Sequence, residues 1–265
     1  MQNTNALATI LAMILAAPAA LGYTAEELAA KNVEAKGGID KLHAVESVRL
    51  SGKMIISGGM LQLDYIAVIK RPHSVRYEAT LQGLTQVQAF DGSQAWQINP
   101  FQGRKDPEKL SADDAKGMSE DAADVLGPLV DYKEKGYRLE SLGTEDVDGT
   151  AAYKLRLTRP NGDLMYVYLD PDYFLEIRTL ARRIEHGVPN ETLTDYGDYE
   201  KVNGVYIPLA QEAGPKGSAD RQKMQFDSAQ FNVAVDDAGF SFPAMPGNAT
   251  TDKPAAGKPA AGKLE

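Results

Sequence analysis

The residues able to do chemistry are few and scattered along this chain. Its three histidines, His43, His73 and His186, are far apart and have unlike neighbours, and there is no cysteine. No Gly-x-Ser-x-Gly nucleophile elbow and no His-Glu-x-x-His zinc motif occurs. Since hydrolytic and thiol enzymes place such groups at set spacings, the sequence predicts a protein that is not an enzyme, with no cofactor and no metal.

Two acidic segments are candidate metal sites by composition. Residues 145–149, Glu-Asp-Val-Asp-Gly, hint at a calcium loop, but Thr144 and Leu155 stand where an EF-hand needs carboxylates. Residues 170–172, Asp-Pro-Asp, are typical of a turn. Both segments are therefore predicted to be turns.

Three arginines share one predicted strand, at Arg178, Arg182 and Arg183. Such a run is typical of a solvated outer face, and the alternative is an anion-binding edge.

The composition predicts an exported protein without disulfides. A net charge of −9 and a pI near 5.0 argue against nucleic acid, whose phosphates need a basic surface. Residues 1–22 are predicted to be a signal peptide, because the apolar run Ala6 to Leu21 ends in small residues that suit cleavage at 17–19 or 20–22. No basic residue precedes the run, and a buried N-terminal helix is the alternative. The expected location is the periplasm, as a soluble protein.

The other end is also predicted to lie outside the fold. Residues 247–265 repeat Lys-Pro-Ala-Ala-Gly and are expected to be a disordered tail, because they bury too little apolar surface to offset chain entropy. The final Leu-Glu pair resembles a cloning remnant. The expected folded domain is residues 23–246.

Helical signals occur at the start of this domain and in one insertion. Thr24 and Glu27 form a capping box that starts a helix ending at Gly37-Gly38, and residues 39–45 can form a second short helix. Residues 105–135 interrupt the later β pattern, and apolar residues at helical spacing predict a helix over 111–132. Seven acids against three lysines in residues 105–124 predict an acidic, solvated outer face for this insertion.

The rest of the domain alternates at period two. About a dozen short strands are predicted, mostly consecutive and joined by Asp-Gly or Asn-Gly turns, as in an antiparallel sandwich or barrel. Their predicted ranges are 47–56, 60–70, 74–81, 85–90, 94–98, 137–142, 151–158, 164–169, 174–185, 192–199, 205–212 and 222–231.

Several strands are apolar at both parities. Residues 54–56, 65–69 and 164–169 have apolar side chains on both faces, so each face needs an apolar neighbour. One neighbour is expected to be the helices, and the other a lumen. A sheet covered by helices on one face and by a loop on the other explains this pattern equally well.

Residues 65–103 carry a family resemblance. A strand ends in Lys70-Arg71-Pro72, a second strand leads to Phe90-Asp91-Gly92, and a third strand through Trp96 ends in Asn99-Pro100-Phe101. This order resembles the LolA-like periplasmic carriers of outer-membrane lipoproteins. The closing segment Phe240-Ser241-Phe242-Pro243 is similar to that family's last motif, and residues 199–208 resemble its more distant relatives.

The resemblance implies both a fold and a function. The fold is mainly β with a helical lid, a single curved antiparallel sheet that forms an unclosed, half-open β-barrel as in LolA and LolB. The function is that of a periplasmic carrier or chaperone, which holds the acyl chains of lipoproteins or another apolar lipid in a hydrophobic cavity for transfer towards the outer membrane. An inner-membrane donor and an outer-membrane acceptor are the implied protein partners. The alternative is a lipid- or lipoprotein-sensing regulatory module of the same fold.

Thirteen residues are predicted to bind the ligand. The first set lies on the strand face opposite the charged residues, and a one-residue bulge would invert part of it. The others come from the helical spacing of the insertion or from the resemblance. The full set is Met54, Ile56, Leu63, Tyr65, Tyr77, Met165, Val167 and Ile177 by strand parity; Leu126 and Leu129 in the insertion; and Arg71, Trp96 and Phe101 by resemblance.

Arg71 and Trp96 have further expectations attached. The resemblance implies that Arg71 lies near the cavity and affects ligand release, so replacing it by leucine is expected to slow release. Its alternative role is a salt bridge or a cap before Pro72, and the favoured role of Trp96 is core packing.

Overall fold

Residues 22–243 are described by the structure, a computed structural model. The predicted signal peptide, apart from Gly22, and the predicted tail lie outside these residues. The described chain forms three α-helices and thirteen strands: α1 (Ala25–Ala35), α2 (Ile39–His43), β1 (Ser47–Ile56), β2 (Leu61–Lys70), β3 (Ser74–Leu81), β4 (Leu84–Phe90), β5 (Ala95–Asn99), β6 (Arg104–Lys109), α3 (Ala112–Ala123), β7 (Arg138–Val147), β8 (Thr150–Thr158), β9 (Leu164–Leu169), β10 (Glu176–Glu185), β11 (Val188–Val202), β12 (Val205–Pro215) and β13 (Gln222–Phe231). None of the helices among these residues is long and apolar enough to cross a membrane.

All thirteen strands belong to one antiparallel sheet. Their order is β6-β5-β4-β3-β2-β1-β13-β12-β11-β10-β9-β8-β7, so two meanders are joined where β1 pairs with β13. β6 and β7 lie at opposite edges and do not pair with each other, so the sheet is not closed. This confirms the predicted fold class, a mainly β chain with one unclosed antiparallel sheet.

The first two helices pack on the inner face of this sheet. The capping box predicted at Thr24 and Glu27 is present, and Leu28 of α1 is fully buried against the side chains of β8 and β9. The helix break at Gly37-Gly38 lies where Gly37 closely approaches Gly204, in the loop before β12. Gly37 has a φ of +125°, and a Cβ there would lie 2.2 Å from the carbonyl oxygen of Gly204.

The helix predicted over 111–132 is shorter than expected. α3 ends at Ala123, and the apolar residues that follow are buried in turns instead of on a helix. The reason is local, because Gly127 has a φ of +108° and Pro128 follows it directly.

Residues 104–109 also differ from the prediction, which placed 105–109 in the helical insertion. They form β6 at the sheet edge, where Lys109 lies opposite Trp96 of β5. An edge strand tolerates Pro107, which cannot donate to the ladder, so the sequence carried no strong strand signal there.

Candidate functional site

A cavity of about 680 Å³ lies between the inner face of the sheet, α3 and the turns that follow α3. Its walls include side chains from β4 and from β9. These two strands are eight steps apart in the sheet, or about 38 Å in a flat sheet at roughly 4.8 Å per step. The sheet must therefore curve around the cavity.

One wall of the cavity is apolar. It consists of the inward side chains of neighbouring strands that share the same parity: Leu50, Met54 and Ile56 of β1; Leu63, Tyr65, Ala67 and Ile69 of β2; Tyr77 and Ala79 of β3; and Met224 and Phe226 of β13. Met54, Ile56 and Met224 are partly exposed, whereas Ala67 and Ile69 are buried. The cavity is therefore most accessible at the end where β1 turns into β2.

Eight of the thirteen predicted site residues line this cavity. They are Met54, Ile56, Leu63, Tyr65, Tyr77, Phe101, Leu126 and Met165. The parity argument worked for β1, β2 and β3 because their mutual pairing is regular throughout. Contact of these residues with a ligand stays a prediction.

Other apolar clusters contain four of the remaining five, Trp96 among them. Val167 and Leu129 are fully buried in a second cluster around α1, so the helix fills the space in front of them. Ile177 packs with Tyr168 and Leu180 in a separate cluster, outside the cavity. The pairing of β10 with β9 shifts register between Glu176 and Arg178, and such an irregularity moves a side chain to the other face.

Trp96 is a packing residue on the outer face of the sheet. It is 2% exposed, packs with Val87 and Ala89, and its indole Nε1 donates to the carbonyl oxygen of Phe240 at 2.7 Å. The ring of Phe242 meets its edge at 6.3 Å between centroids. The closing Phe-Ser-Phe-Pro segment thus covers this part of the sheet.

Arg71 does not line the cavity but joins two segments beside it. Its Nη1 donates to the carbonyl oxygens of Leu42 and Val45 at 3.0 and 3.2 Å, and its Nη2 contacts Asp131 Oδ2 at 3.3 Å. Asp131 also contacts His43 Nε2 at 2.7 Å. Arg71 therefore connects the end of α2 with the turns that follow α3.

The opposite wall of the cavity is charged, which the sequence did not predict. Lys36 and Glu176 form a buried ion pair there, with side chains only 5% and 3% exposed and 2.7 Å between Nζ and Oε1. Lys36 Nζ also donates to the carbonyl oxygen of Leu126 at 3.0 Å, and the Tyr199 hydroxyl donates to the Glu176 backbone oxygen at 2.9 Å. Burial, followed by the charge of Glu176, raises the pKa of Tyr199 well above its usual value.

A second charged group is centred on Arg159. Its Nη2 donates to Asp124 Oδ2 at 2.7 Å and its Nε lies 3.6 Å from Glu120 Oε2. Glu120 Oε2 is also 2.9 Å from Arg183 Nη2. Glu120 and Asp124 thus pair with arginines within the cavity wall, apart from the acidic, solvated outer face that was predicted for this insertion.

The arginine run of β10 is divided between the two faces. Arg178 pairs with Asp148 and Asp195, and Arg182 pairs with Glu191, all away from the cavity. Arg183 has the opposite parity and lines the cavity. Neither predicted role, a solvated face or an anion-binding edge, describes all three residues.

Asp121 of α3 also lines the cavity, next to Glu120. Its Oδ2 accepts a hydrogen bond of 2.9 Å from the Tyr77 hydroxyl. Burial raises the pKa of the Asp121 carboxyl, although that hydrogen bond opposes the shift. The ring of Tyr77 in turn stacks on Tyr65, with 6.2 Å between centroids.

Potential metal ligands do not cluster among residues 22–243. No group of three or more His, Cys, Asp or Glu side chains there is placed to hold a metal ion. The charged residues of the cavity come from α1, α3, β10 and the β8–β9 turn, far apart in sequence. Their individual contexts carry no common signal, so only the fold brings them together.

The sequence matches no family model and no curated protein. Solved structures do share its fold. A LolA superfamily protein from Nitrosomonas europaea is 14% identical with a TM-score of 0.55, covering 83% of this chain and 98% of that one. A putative outer membrane lipoprotein-sorting protein domain from Vibrio parahaemolyticus is 11% identical with a TM-score of 0.55, covering 81% and 94%. A DUF1329 family protein from Desulfovibrio piger is 14% identical with a TM-score of 0.53, covering 82% and 97%. These matches confirm the predicted LolA-like resemblance at the level of the fold.

Proposed function

We propose that this protein is a periplasmic carrier that holds the acyl chains of a lipoprotein, or of another lipid, in its cavity for transfer towards the outer membrane. The observation that carries the proposal is the cavity of about 680 Å³ with one continuous apolar wall. The fold supports it, since the solved structures of this fold include one described as a lipoprotein-sorting domain. A membrane-bound donor and an outer-membrane acceptor belong to the same proposal, which involves no catalytic step.

The size and lining of the cavity suit an acyl chain energetically. Each buried methylene contributes about 0.8 kcal/mol, so ten methylenes contribute about 8 kcal/mol before the cost of association. That cost is about 4 kcal/mol or more, which leaves at most about 4 kcal/mol, a dissociation constant of about 1 mM or weaker for ten methylenes of one chain. Each further buried methylene adds about 0.8 kcal/mol, so a longer chain or a second chain is held more firmly.

The first experiment identifies the cargo. Protein purified from the periplasm under mild conditions is analysed by native mass spectrometry, and a co-purifying lipid or acylated peptide is expected. Transfer of a fluorescent lipid from donor to acceptor vesicles then tests carriage itself. A protein that retains no lipid and does not accelerate transfer would contradict the proposal.

A variant that fills the cavity tests whether the cavity is the binding site. Ala79 lies in the apolar wall and is 7% exposed, so Ala79→Phe places a ring where the chain would lie. It is expected to weaken binding of a fluorescent fatty-acyl probe about tenfold or more, the loss that follows when a few methylenes stay in water. Ala151→Phe, at an exposed position of β8, is the matched control and should bind normally. Equal binding by both variants would place the site elsewhere.

A further inference from the structure

The charged wall of the cavity is almost completely paired within itself. Seven charged side chains of residues 22–243 line the cavity, three basic and four acidic: Lys36, Arg159, Arg183, Glu120, Asp121, Asp124 and Glu176. Lys36 pairs with Glu176, Arg159 with Asp124 and Glu120, and Arg183 with Glu120. Of these seven, Asp121 is the one without an oppositely charged atom within 4 Å.

Asp121 also faces the empty space. Its side chain is exposed and lines the cavity, and the Tyr77 hydroxyl is its one side-chain hydrogen-bond donor. A carboxylate has room for about four hydrogen bonds, so most of its accepting capacity is directed at whatever occupies the cavity.

The neighbouring Glu120 differs from Asp121 because its charge is already compensated. It is 9% exposed, and its buried Oε2 lies 3.6 Å from Arg159 Nε and 2.9 Å from Arg183 Nη2.

The hydrogen bond with Tyr77 places Asp121 beside the apolar wall. Tyr77, its partner, is part of that wall and lies opposite the buried Ala67 of β2. An amphiphile lying along β1 and β2 therefore passes within reach of this carboxylate.

We propose that Asp121 is the docking point for a positively charged amine head group, and that the preferred cargo is an amine-bearing amphiphile whose acyl chain lies on the apolar wall. This inference rests on the proposed function, because it names the class of lipid that the same cavity takes. An ammonium group supplies both the charge and the donors that Asp121 lacks, and such charge-assisted hydrogen bonds are about twice as strong as neutral ones.

The test compares ligands that share one chain and differ in the head group. Dodecylamine, dodecanol and dodecanoate, each below its micelle concentration, displace a fluorescent fatty-acyl probe from the native protein at neutral pH. The amine is expected to bind about tenfold more tightly than the carboxylate, the factor that about 1.4 kcal/mol of head-group preference gives. Dodecanol should fall between them.

Two variants separate charge from structure. Asp121→Asn keeps the size of the side chain and an oxygen for Tyr77, and is expected to reduce the preference for amine over carboxylate from about tenfold to about twofold. Asp172→Asn, at an exposed turn between β9 and β10, makes the same charge change away from the cavity and should behave as the native protein.

The proposed role of Asp121 can be wrong while the cavity still binds acyl chains, and the ligand series distinguishes the two cases. Equal binding of amine and carboxylate, a preference for carboxylate, or an unchanged preference in Asp121→Asn would overturn the role of Asp121 while the cavity still binds acyl chains. If none of the three ligands displaces the probe and the probe itself does not bind, the proposed carrier function fails, and this inference fails with it.

Discussion

The buried pair of Lys36 and Glu176 is predicted to be the most sensitive point of the cavity wall. It joins the end of α1 to β10, and through the Leu126 carbonyl it also holds the turn after α3. Lys36→Met keeps the length of the side chain but leaves the Glu176 carboxylate without its cation. Because both side chains are at least 95% buried, the expected loss is about 3–5 kcal/mol in the free energy of unfolding.

A double-mutant cycle separates the pair from its surroundings. Glu176→Leu alone leaves the ammonium group buried and should lose a similar amount, about 3–5 kcal/mol. The double variant has no uncompensated charge and loses mainly the hydrogen bonds to the Leu126 carbonyl and from Tyr199, about 1 kcal/mol each. The two single losses should therefore exceed the loss in the double variant by several kcal/mol.

Equilibrium unfolding in urea, followed by tryptophan fluorescence, measures these losses. Trp96 is the single tryptophan of the sequence and is 2% exposed, so its emission should report on unfolding. Lys53→Met is the matched control, since its partner Asp64 is 69% exposed and an exposed ion pair contributes little, so a much smaller loss is expected. Equal losses for Lys36→Met and Lys53→Met, or single losses that simply add, would refute this reasoning.

Three further predictions follow from the same structure. Replacing Arg71 by leucine removes the hydrogen bonds that connect the end of α2 with the turns after α3. A fatty-acyl probe should then dissociate more slowly in a stopped-flow dilution, because those turns compete less with cargo. Equal or faster dissociation would assign Arg71 a structural role alone. Gly127→Ala should lower the free energy of unfolding by at least about 2 kcal/mol more than the control Gly143→Ala. Both glycines have positive φ, but a Cβ at Gly127 would lie 2.2 Å from Lys36 Nζ. Equal decreases in melting temperature for the two variants would contradict the clash. Burial of Asp195 is outweighed by hydrogen bonds from two arginines, which lower the pKa of its carboxyl. The ionised Asp195 carboxylate therefore stabilises the fold fully at a pH above its ordinary pKa of about 3.9, and this contribution is lost as the pH falls through the lower pKa of the folded protein. Asp195→Asn should lower the free energy of unfolding by about 1–2 kcal/mol at pH 7. A loss of the same size at pH 2 would contradict a lowered pKa for Asp195.

Local patterns were sufficient to predict most of the elements and part of the cavity. The capping box at Thr24 and Glu27 and the alternation in β1, β2 and β3 depend on neighbours in the chain, so they can be recognised without the fold. Inward residues such as Met54 and Leu63 followed from parity alone, because no bulge interrupts the pairing of β1 with β2.

The remaining features depend on contacts between segments that are far apart in the chain. The pairing of β1 with β13 joins the two meanders into one sheet, and no local pattern specifies which distant strands will meet. A register shift moved Ile177 away from the cavity, and edge pairing with β5 made a strand of residues 104–109. The charged wall is the clearest case, since an acid such as Asp121 looks the same in sequence whether it faces water or a cavity. Its environment is set by Tyr77 and by the curved sheet, which only the tertiary structure brings to it.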